Sequence, residues 1–345
     1  MHGLDTERVQ QIRRQAAAAE LQLIPAAVRH LGTDRAQGIL AGMRQALDAK
    51  GVEVRTLTTV KSLLVEEQQI QGVELADGQQ FFAPYVICAP GREGSEWFAK
   101  EAQRLGLNSR ANPVDIGVRV EVPAAVLSHL TDVVYESKLI YYSPTFDDLV
   151  RTFCMNPQGQ VVVENNAGLL TVNGHSYANK KTDNTNFALL VSKSFTEPFH
   201  EPISYGKYIA SLANMLGGTV LVQRLGDLLD GRRSTPERIA RGLVRPTLPE
   251  ATPGDLSLVL PYRFLQSLQE MLAAFDKIAP GVYSRHTLLY GVEVKFYSSR
   301  VELSSELETA IPGLFAGGDG AGVTRGLAQA SAAGVHMARA ILQRG

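Results

Sequence analysis

Two short apolar runs, each followed at once by glycine, constrain the fold of this chain most strongly. They read YVICAPG, at residues 85–91, and LFAGGDG, at residues 314–320. Neither run alternates apolar with polar residues, which is typical of parallel strands that are covered on both faces. The runs lie 314 − 91 = 223 positions apart. We therefore expect the two ends of the chain to complete one sheet around an inserted segment.

The pattern of apolar and polar residues changes near residue 113, and this change predicts two domains within the 345 residues. Residues 113–285 carry longer segments in which apolar and polar residues alternate, and this pattern predicts antiparallel strands. Helical patterns interrupt them at 204–216 and 262–279. The predicted fold class is α/β. A discontinuous domain is formed by residues 1–112 and 286–345, and a mixed α+β domain is inserted at 113–285.

Shorter patterns predict the elements of the first domain. Helices are expected at 5–22 and 33–50, the second capped by Thr33 or Asp34 and stopped by Gly51. A further helix is expected at 324–343. The predicted strands are VEVRTL at 52–57, VKSLLVEE at 60–67 and IQGVELAD at 70–77, with a hairpin turn at Asp77-Gly78.

Composition excludes several classes of function. The formal net charge is −1, so we expect neither nucleic acid nor an anionic membrane as a partner. No apolar run approaches the ~20 residues that span a bilayer. The two cysteines, Cys88 and Cys154, form no CxxC pair, and the histidines show no metal-ligand spacing. Low cysteine usage without a leader pattern predicts a cytoplasmic protein.

The stretch GDGAGVTR, at residues 318–325, comes close to a dinucleotide fingerprint but lacks its third glycine. Glycines at a strand end let a ligand touch the backbone, and Asp319 can accept hydrogen bonds from hydroxyls. The helix behind them favours an anionic or electron-rich group. A flavin dinucleotide has both features. A glycine-rich turn without a ligand is the open alternative.

The motifs together resemble one family along nearly the whole chain. They are HLGTDR at 30–35, VICAPGR at 86–92, DIGVRVE at 115–121, FCMNPQG at 153–159, VNGHSYAN at 172–179, YGVEVKFYSSRVEL at 290–303 and IPGLFAGGDGAGVTRGLAQASAAGV at 311–335. The sequence resembles bacterial FAD-dependent dehydrogenases of the two-dinucleotide-binding-domain flavoproteins, which have a glutathione-reductase-like FAD-binding fold. The resemblance implies that the discontinuous domain is an incomplete Rossmann-like FAD-binding domain and that residues 113–285 are a substrate cap.

The resemblance also implies which residues bind FAD. Asp319 would bind the ribityl or ribose hydroxyls, and backbone at Gly318, Gly320 and Ala321 would approach the pyrophosphate. The residues at the helix start would border the isoalloxazine ring, and these are Thr324, Arg325, Gly326 and Leu327. Val60 would contact adenine, and the stretch from Ala89 to Gly91 would approach the cofactor. The resemblance assigns no catalytic residue and no metal.

The sequence departs from the family in two places. Family members begin with a strand and GxGxxG, whose helix holds the FAD pyrophosphate, and this chain shows no such unit. Three explanations are open: the chain is the C-terminal portion of a longer protein, which we favour, a separate polypeptide supplies the unit, or FAD binding is weakened. The second departure is Asn156, where relatives often carry a second cysteine, so dithiol chemistry is not expected.

Three other patterns have simpler readings. GHSYA, at 174–178, misses the GxSxG nucleophile elbow, so we do not expect a hydrolase. His175 could face a substrate or the solvent. Glu293 and Lys295 share one face of a predicted strand, where they either border the flavin or form a structural ion pair.

The sequence therefore predicts an FAD-dependent oxidoreductase, a dehydrogenase or reductase, or the C-terminal portion of one. It would transfer a hydride between the flavin and a small organic substrate, with NAD(P)H as a candidate electron donor. The alternative is a non-catalytic remnant or binding module that has lost its affinity for FAD. Flavin absorbance distinguishes the two, because only the enzyme would hold the cofactor.

Overall fold

The chain divides into two compact units. The computed structural model describes residues 3, 5–25, 36–110, 112–166, 168–177, 179–195, 202–295, 300–324 and 326–344. Unit 1 comprises Met1–Arg44, Val114–Ser194 and Pro198–Lys295. Unit 2 comprises Gln45–Pro113, Phe195–Glu197 and Phe296–Gly345.

Among the described residues, helices and strands alternate irregularly along the chain. The helices are α1 (Thr6–Ala18), α2 (Ala36–Asp48), α3 (Ser95–Arg104), α4 (Ala124–Val134), α5 (Pro202–Gly217), α6 (Leu225–Leu229), α7 (Pro236–Ala240), α8 (Tyr262–Asp276) and α9 (Leu327–Leu342). The strands are β1 (Gln22–Ile24), β2 (Val60–Glu66), β3 (Gln69–Leu75), β4 (Gln80–Phe82), β5 (Val86–Cys88), β6 (Ser109–Arg110), β7 (Val114–Pro123), β8 (Lys138–Tyr142), β9 (Leu149–Asn156), β10 (Gln160–Asn166), β11 (Leu169–His175), β12 (Asn184–Lys193), β13 (Leu221–Arg224), β14 (Thr252–Pro253), β15 (Leu288–Lys295), β16 (Arg300–Val301) and β17 (Leu314–Ala316).

Unit 1 is built on an eight-stranded sheet in the order β1-β8-β9-β12-β7-β15-β13-β14. Its neighbouring strands are antiparallel except for the parallel pair β13 and β14. The hairpin of β10 and β11 forms a separate two-stranded sheet in this unit. Antiparallel strands that alternate in polarity commonly have one face packed on a core, which is why residues 113–285 were predicted as such strands.

The two faces of this sheet differ sharply in polarity. On β7, the apolar face carries Val118 and Val120, and on β12 it carries Phe187, all of them buried. The ring of Phe187 packs edge-on against Phe275 of α8, with 5.5 Å between the ring centroids. The opposite face carries charged residues, and the Arg119 guanidinium on that face reaches β11. The charged face is therefore buried as well, under the β10–β11 hairpin.

Unit 2 contains an antiparallel sheet, β2-β3-β4, and a parallel pair, β17 and β5. Strands β6 and β16 form a third, antiparallel pair. The predicted hairpin at Asp77-Gly78 is present between β3 and β4, and Gly78 takes a φ of +87° that favours glycine. The core of this unit gathers residues from both sheets and from α3: Leu63, Ile70, Cys88, Phe98, Leu314 and Ala316.

Several predicted boundaries need correction. VEVRTL, at 52–57, forms no strand, because these residues are exposed and no neighbouring strand supplies backbone partners for them. Helix α9 begins at Leu327 rather than 324, after a turn that includes Thr324. The proposed caps Thr33 and Asp34 lie outside the described residues. Helices α3, α4, α6 and α7 were not predicted.

Residues at the start of the chain pack with unit 1. Strand β1 pairs with β8 at the edge of the eight-stranded sheet, and Val9 and Ile12 of α1 are buried. The compact units therefore place Met1–Arg44 with the segments after Val114. The assignment of 1–112 and 286–345 to cofactor binding, and of 113–285 to substrate binding, stays a prediction. Among the described residues, no helix is long and apolar enough to cross a bilayer.

Candidate functional site

The parallel strands β5 and β17 bring two of the predicted cofactor segments together. Cα partners run from Leu314 opposite Val86 to Ala316 opposite Cys88, and the Gly317 N–H donates to the Cys88 carbonyl at 3.0 Å. Because the strands are parallel, both carboxyl ends lie at one edge of the pair. The stretch after Cys88 and the glycine turn after Ala316 therefore begin at the same place.

Direct backbone contact joins the two turns. A Cβ atom on Gly320 would lie 1.9 Å from the Gly91 carbonyl oxygen, a distance that real side chains do not reach. Gly91 and Gly318 take φ values of +65° and +79°. Glycine is required at these positions for two reasons, the left-handed backbone at Gly91 and Gly318 and the close approach at Gly320. The predicted residues Ala89, Gly91, Gly318 and Gly320 thus lie in one small region.

Asp319 forms an ion pair that the sequence did not predict. Its Oδ2 accepts a hydrogen bond from Arg92 Nε at 2.7 Å. The side chains of Asp319 and Arg92 are 29% and 65% exposed. A pair this exposed contributes little stability, and the carboxylate keeps lone pairs for hydroxyl donors. The signal for Arg92 was a cation directly after the glycine of VICAPGR.

The segment between the glycine turn and α9 presents polar groups without a partner. The Gly318 carbonyl accepts from the Val323 and Thr324 N–H groups, at 3.2 and 3.3 Å, and this closes a tight turn. Thr324 Oγ1 is buried, and no described residue forms a hydrogen bond with it. Gly326 caps α9 without a side-chain hydrogen bond. The first N–H groups of α9 thus lack a side-chain cap and can hold an anion or a ring oxygen.

The other predicted site residues are distributed around this turn. Ala321 is fully buried, Gly326 is half-buried and Leu327 is 87% exposed. Arg325 lies outside the described residues. Val60 is at the start of β2, opposite Leu75 in the antiparallel sheet, and no described hydrogen bond connects it to the glycine turn. Its predicted contact with adenine stays a prediction.

These residues fit a flavin dinucleotide on features of their own. Glycines bring two backbone turns into contact, an acid lies at the strand end, and a helix begins without a side-chain cap. The Thr324 hydroxyl adds a buried polar group for which no described residue supplies a hydrogen bond. Such a combination suits a ligand with hydroxyls, a phosphate and a polar ring edge.

Unit 1 holds a second polar group of residues. The predicted pair of Glu293 and Lys295 is present at 3.0 Å, and Arg119 binds both Glu293 oxygens, at 2.6 and 2.7 Å. Burial raises the pKa of Glu293, but Arg119 and Lys295 outweigh it, and the net pKa is lowered. The carboxylate is thus held ionised, and the sequence could not show that Arg119 is its main partner.

Two residues singled out in the sequence lie beside this group. Asn156 Nδ2 donates to the Cys154 carbonyl at 2.8 Å, so its role here is to hold the backbone of β9. Burial lowers the pKa of the half-buried His175, and Arg119 contributes to the lowering. Among the described residues, no group of three or more His, Cys, Asp or Glu side chains could hold a metal ion.

Comparison with known protein families gives a match whose description names FAD. Residues 113–296 match the family described as FAD-dependent protein, C-terminal domain-like. An uncharacterized protein of Clostridium beijerinckii is 26% identical over 339 residues, which cover 91% of this chain and 62% of the relative. The chain thus spans about three fifths of the length of the curated relative it matches.

Two solved structures also resemble the chain. An oxidoreductase from Methanosarcina mazei is 12% identical, with 90% of this chain and 54% of the other covered at a TM-score of 0.32. GidA from Aquifex aeolicus is 12% identical, with 86% of this chain and 48% of the other covered at a TM-score of 0.31.

Proposed function

We propose that this chain is an oxidoreductase, because it belongs to the family described as FAD-dependent protein, C-terminal domain-like, and its cofactor is FAD. It is a dehydrogenase or reductase, or the C-terminal portion of one, that transfers a hydride between the flavin and a small organic substrate. The observation that carries this proposal is the contact between Gly320 and Gly91, which joins the acid-bearing turn after β17 to the turn after β5.

In this proposal the chain's own residues bind and orient the cofactor. Asp319 accepts hydrogen bonds from the sugar-alcohol hydroxyls, and its pairing with Arg92 fixes the orientation of the carboxylate. Backbone at Gly318, Gly320 and Ala321 approaches the pyrophosphate, where a side chain at Gly320 would collide with Gly91. FAD supplies the redox chemistry when bound, which is why no protein nucleophile is required.

In this proposal the start of α9 stabilises negative charge on the isoalloxazine ring. Its uncapped N–H groups and positive dipole end favour negative charge on a neighbouring group, as reduced flavin carries. Thr324 Oγ1 can donate to an acceptor at the ring edge. NAD(P)H as the electron donor and a small molecule as the substrate are part of the same proposal.

We further propose that a segment of a longer protein completes this cofactor site. Strand β5 has a partner on one side only among the described strands, and Ile87 in its centre is 43% exposed. Parallel strands are normally flanked by further strands and covered on both faces. Helix α2 is a second indication of a missing segment, because none of its residues is buried. Its apolar face is exposed and consists of Ile39, Leu40, Met43 and Leu47. A strand with GxGxxG would pair with β5.

Flavin binding tests the proposed function. The purified protein is expected to be yellow, with flavin absorbance near about 450 nm. Asp319→Ala is expected to weaken FAD binding about 10- to 100-fold, the loss typical of a hydrogen bond to a charged group. Titration of FAD followed by flavin fluorescence measures the change, and Asp77→Ala, at an exposed hairpin turn, is the control.

Two results would oppose the proposal. Equal FAD affinity of the wild type and Asp319→Ala would contradict the assignment of Asp319. A protein that stays colourless with added FAD even when the completing segment is present would favour the non-catalytic remnant instead, for which the Arg92–Asp319 ion pair is the supporting observation.

A further inference from the structure

The charged face of the eight-stranded sheet contains two cations that share one carboxylate. Arg119 and Glu293 are fully buried, and Lys295 is 7% exposed. The guanidinium of Arg119 is saturated, since its five N–H groups face five acceptors: both Glu293 oxygens, the Cys154 carbonyl, Asn186 Oδ1 and Asn173 Oδ1. Arg119 therefore holds strands together and has no donor left for a ligand.

Lys295 is different because its ammonium keeps spare donors. Of its three N–H groups, one faces Glu293 Oε1 at 3.0 Å, and that carboxylate already binds Arg119 twice. No other described residue accepts from Lys295. A buried ammonium needs acceptors to offset its lost hydration, so the free donors are unusual for a purely structural lysine.

A buried amide provides an independent sign of a missing partner. Asn186 is fully buried, and its Oδ1 accepts from Arg119 Nη1 at 3.1 Å and from Asn156 Nδ2 at 3.4 Å. Its Nδ2 has no hydrogen-bond partner among the described residues. Gly174 packs directly against this amide, since a Cβ there would lie 2.2 Å from Asn186 Oδ1. Two sets of unmatched donors thus lie in one buried group.

Cys154 lies beside this group and is half-buried. Its backbone has a φ of +43° beside a register shift of β9 against β12, and Arg119 Nη1 donates to its carbonyl at 2.9 Å. Burial raises the pKa of the half-buried thiol, and Arg119 and Lys295 partly oppose the rise. The thiol therefore senses the charge of Lys295.

Two half-buried acidic residues form a rim beside this group, and each already accepts a hydrogen bond. Glu136 Oε1 accepts from the Cys154 N–H at 3.1 Å, and Glu164 accepts from Asn173 Nδ2 at 3.0 Å. Inside this rim, Arg119, Glu293 and Lys295 carry two positive charges and one negative charge. The buried group thus has a net charge of 2 − 1 = +1, which a monoanion would balance.

We propose that the charged face beside Lys295 is a subsite for a carboxylate group of a small organic acid, bound by the free donors of Lys295 and Asn186. That this acid is the substrate rests on the proposed function, whereas anion binding itself does not. A carboxylate suits the subsite because it carries a single charge and two acceptor oxygens. Phosphate would bring a second negative charge with no described cation to balance it.

Cys154 reports on this subsite, because the other cysteine, Cys88, is buried in the core of unit 2 with a pKa raised to about 12. Alkylation by iodoacetate, an anion, is compared with alkylation by neutral iodoacetamide, and peptide mass mapping separates the two cysteines. We expect the iodoacetate to iodoacetamide rate ratio at Cys154 to exceed that of N-acetylcysteine by about tenfold, through attraction by Lys295.

Variants locate the effect. Lys295→Met is expected to bring the ratio close to that of N-acetylcysteine, Lys295→Arg to retain it, and Lys277→Met, an exposed lysine of the same unit, to leave it unchanged. Sodium acetate is expected to slow iodoacetamide alkylation of the wild type more than sodium chloride at the same concentration.

The wild-type measurements decide the proposal even if a variant fails to fold. A ratio equal to that of N-acetylcysteine, no alkylation of Cys154, or equal protection by acetate and chloride would each overturn the subsite. These readouts need no FAD. A protein that binds flavin but shows no preference for iodoacetate would lose the subsite and keep the proposed function.

Discussion

At the scale of single residues, Glu121 shows how burial sets a charge. The side chain is fully buried in unit 1, and its described hydrogen-bond donors are all neutral. Tyr290 Oη donates at 2.6 Å, Thr247 Oγ1 at 2.5 Å and Asn184 Nδ2 at 3.1 Å. Burial raises the pKa of this carboxyl, and the bonds from Thr247, Tyr290 and Asn184 only partly oppose the rise.

This raised pKa predicts a pH dependence of stability. In the unfolded chain a glutamate titrates near about 4.3, so the stability that Glu121 contributes is complete below that pH and is lost as the pH rises through its higher folded pKa. We expect the free energy of unfolding of the wild type to fall, relative to Glu121→Gln, as the pH rises above about 4.3 and through the raised pKa of the folded state. Urea unfolding at several pH values measures the difference.

Tyr290→Phe is the matched variant with the opposite effect. It removes a donor that lowers the pKa of Glu121, so the decline with pH should be steeper than in the wild type. Parallel pH profiles for all three proteins would show that Glu121 does not titrate differently in the folded state.

At the scale of elements, the turn between β17 and α9 forms the proposed cofactor site. Its glycines were recognisable in the sequence, because left-handed backbone and close backbone approach both favour glycine. The end of β17 and the apolar residues of α9 were also recognisable, because both depend on neighbouring residues in the sequence. The sequence placed the helix start at Thr324, but the Val323 and Thr324 N–H groups donate to the Gly318 carbonyl, and this turn geometry was not legible in the sequence.

Two glycines of this region should respond oppositely to the same substitution. Gly320→Ala places a Cβ against the Gly91 carbonyl and is expected to destabilise the protein by about 1–3 kcal/mol, as overpacking does. Gly334→Ala, inside α9 with no atom within 4 Å of the new Cβ, is expected to stabilise it by about 0.5–1 kcal/mol. Thermal unfolding compares them, and equal effects would contradict the close contact at Gly320.

At the scale of the whole molecule, FAD binding and folding are coupled, because a ligand that binds only the folded state stabilises it. Free FAD at about 100 times its dissociation constant is expected to add about 2.7 kcal/mol to the free energy of unfolding. Riboflavin, which lacks the pyrophosphate and adenosine, should add less at the same concentration. Unfolding that FAD leaves unchanged would mean that the glycine turn does not bind it.

The sequence by itself determined the features that depend on neighbouring residues. The alternating strands of unit 1, the hairpin at Asp77-Gly78 and the glycine turn at 317–320 follow from local polarity and local backbone conformation. Wrong or missing elements share a different cause. VEVRTL alternates like a strand, but a strand needs backbone partners, and local pattern does not supply them.

Only the tertiary structure decided which distant residues meet. Arg92 reaches Asp319 across 227 positions of sequence, and Arg119 reaches Glu293 across 174. Such pairs depend on strand order and register, because a shift of one residue turns a side chain to the other face of the sheet. Residue types could thus indicate an acid at a flavin site and a charged strand, but the folded sheets alone select the partner of each charge.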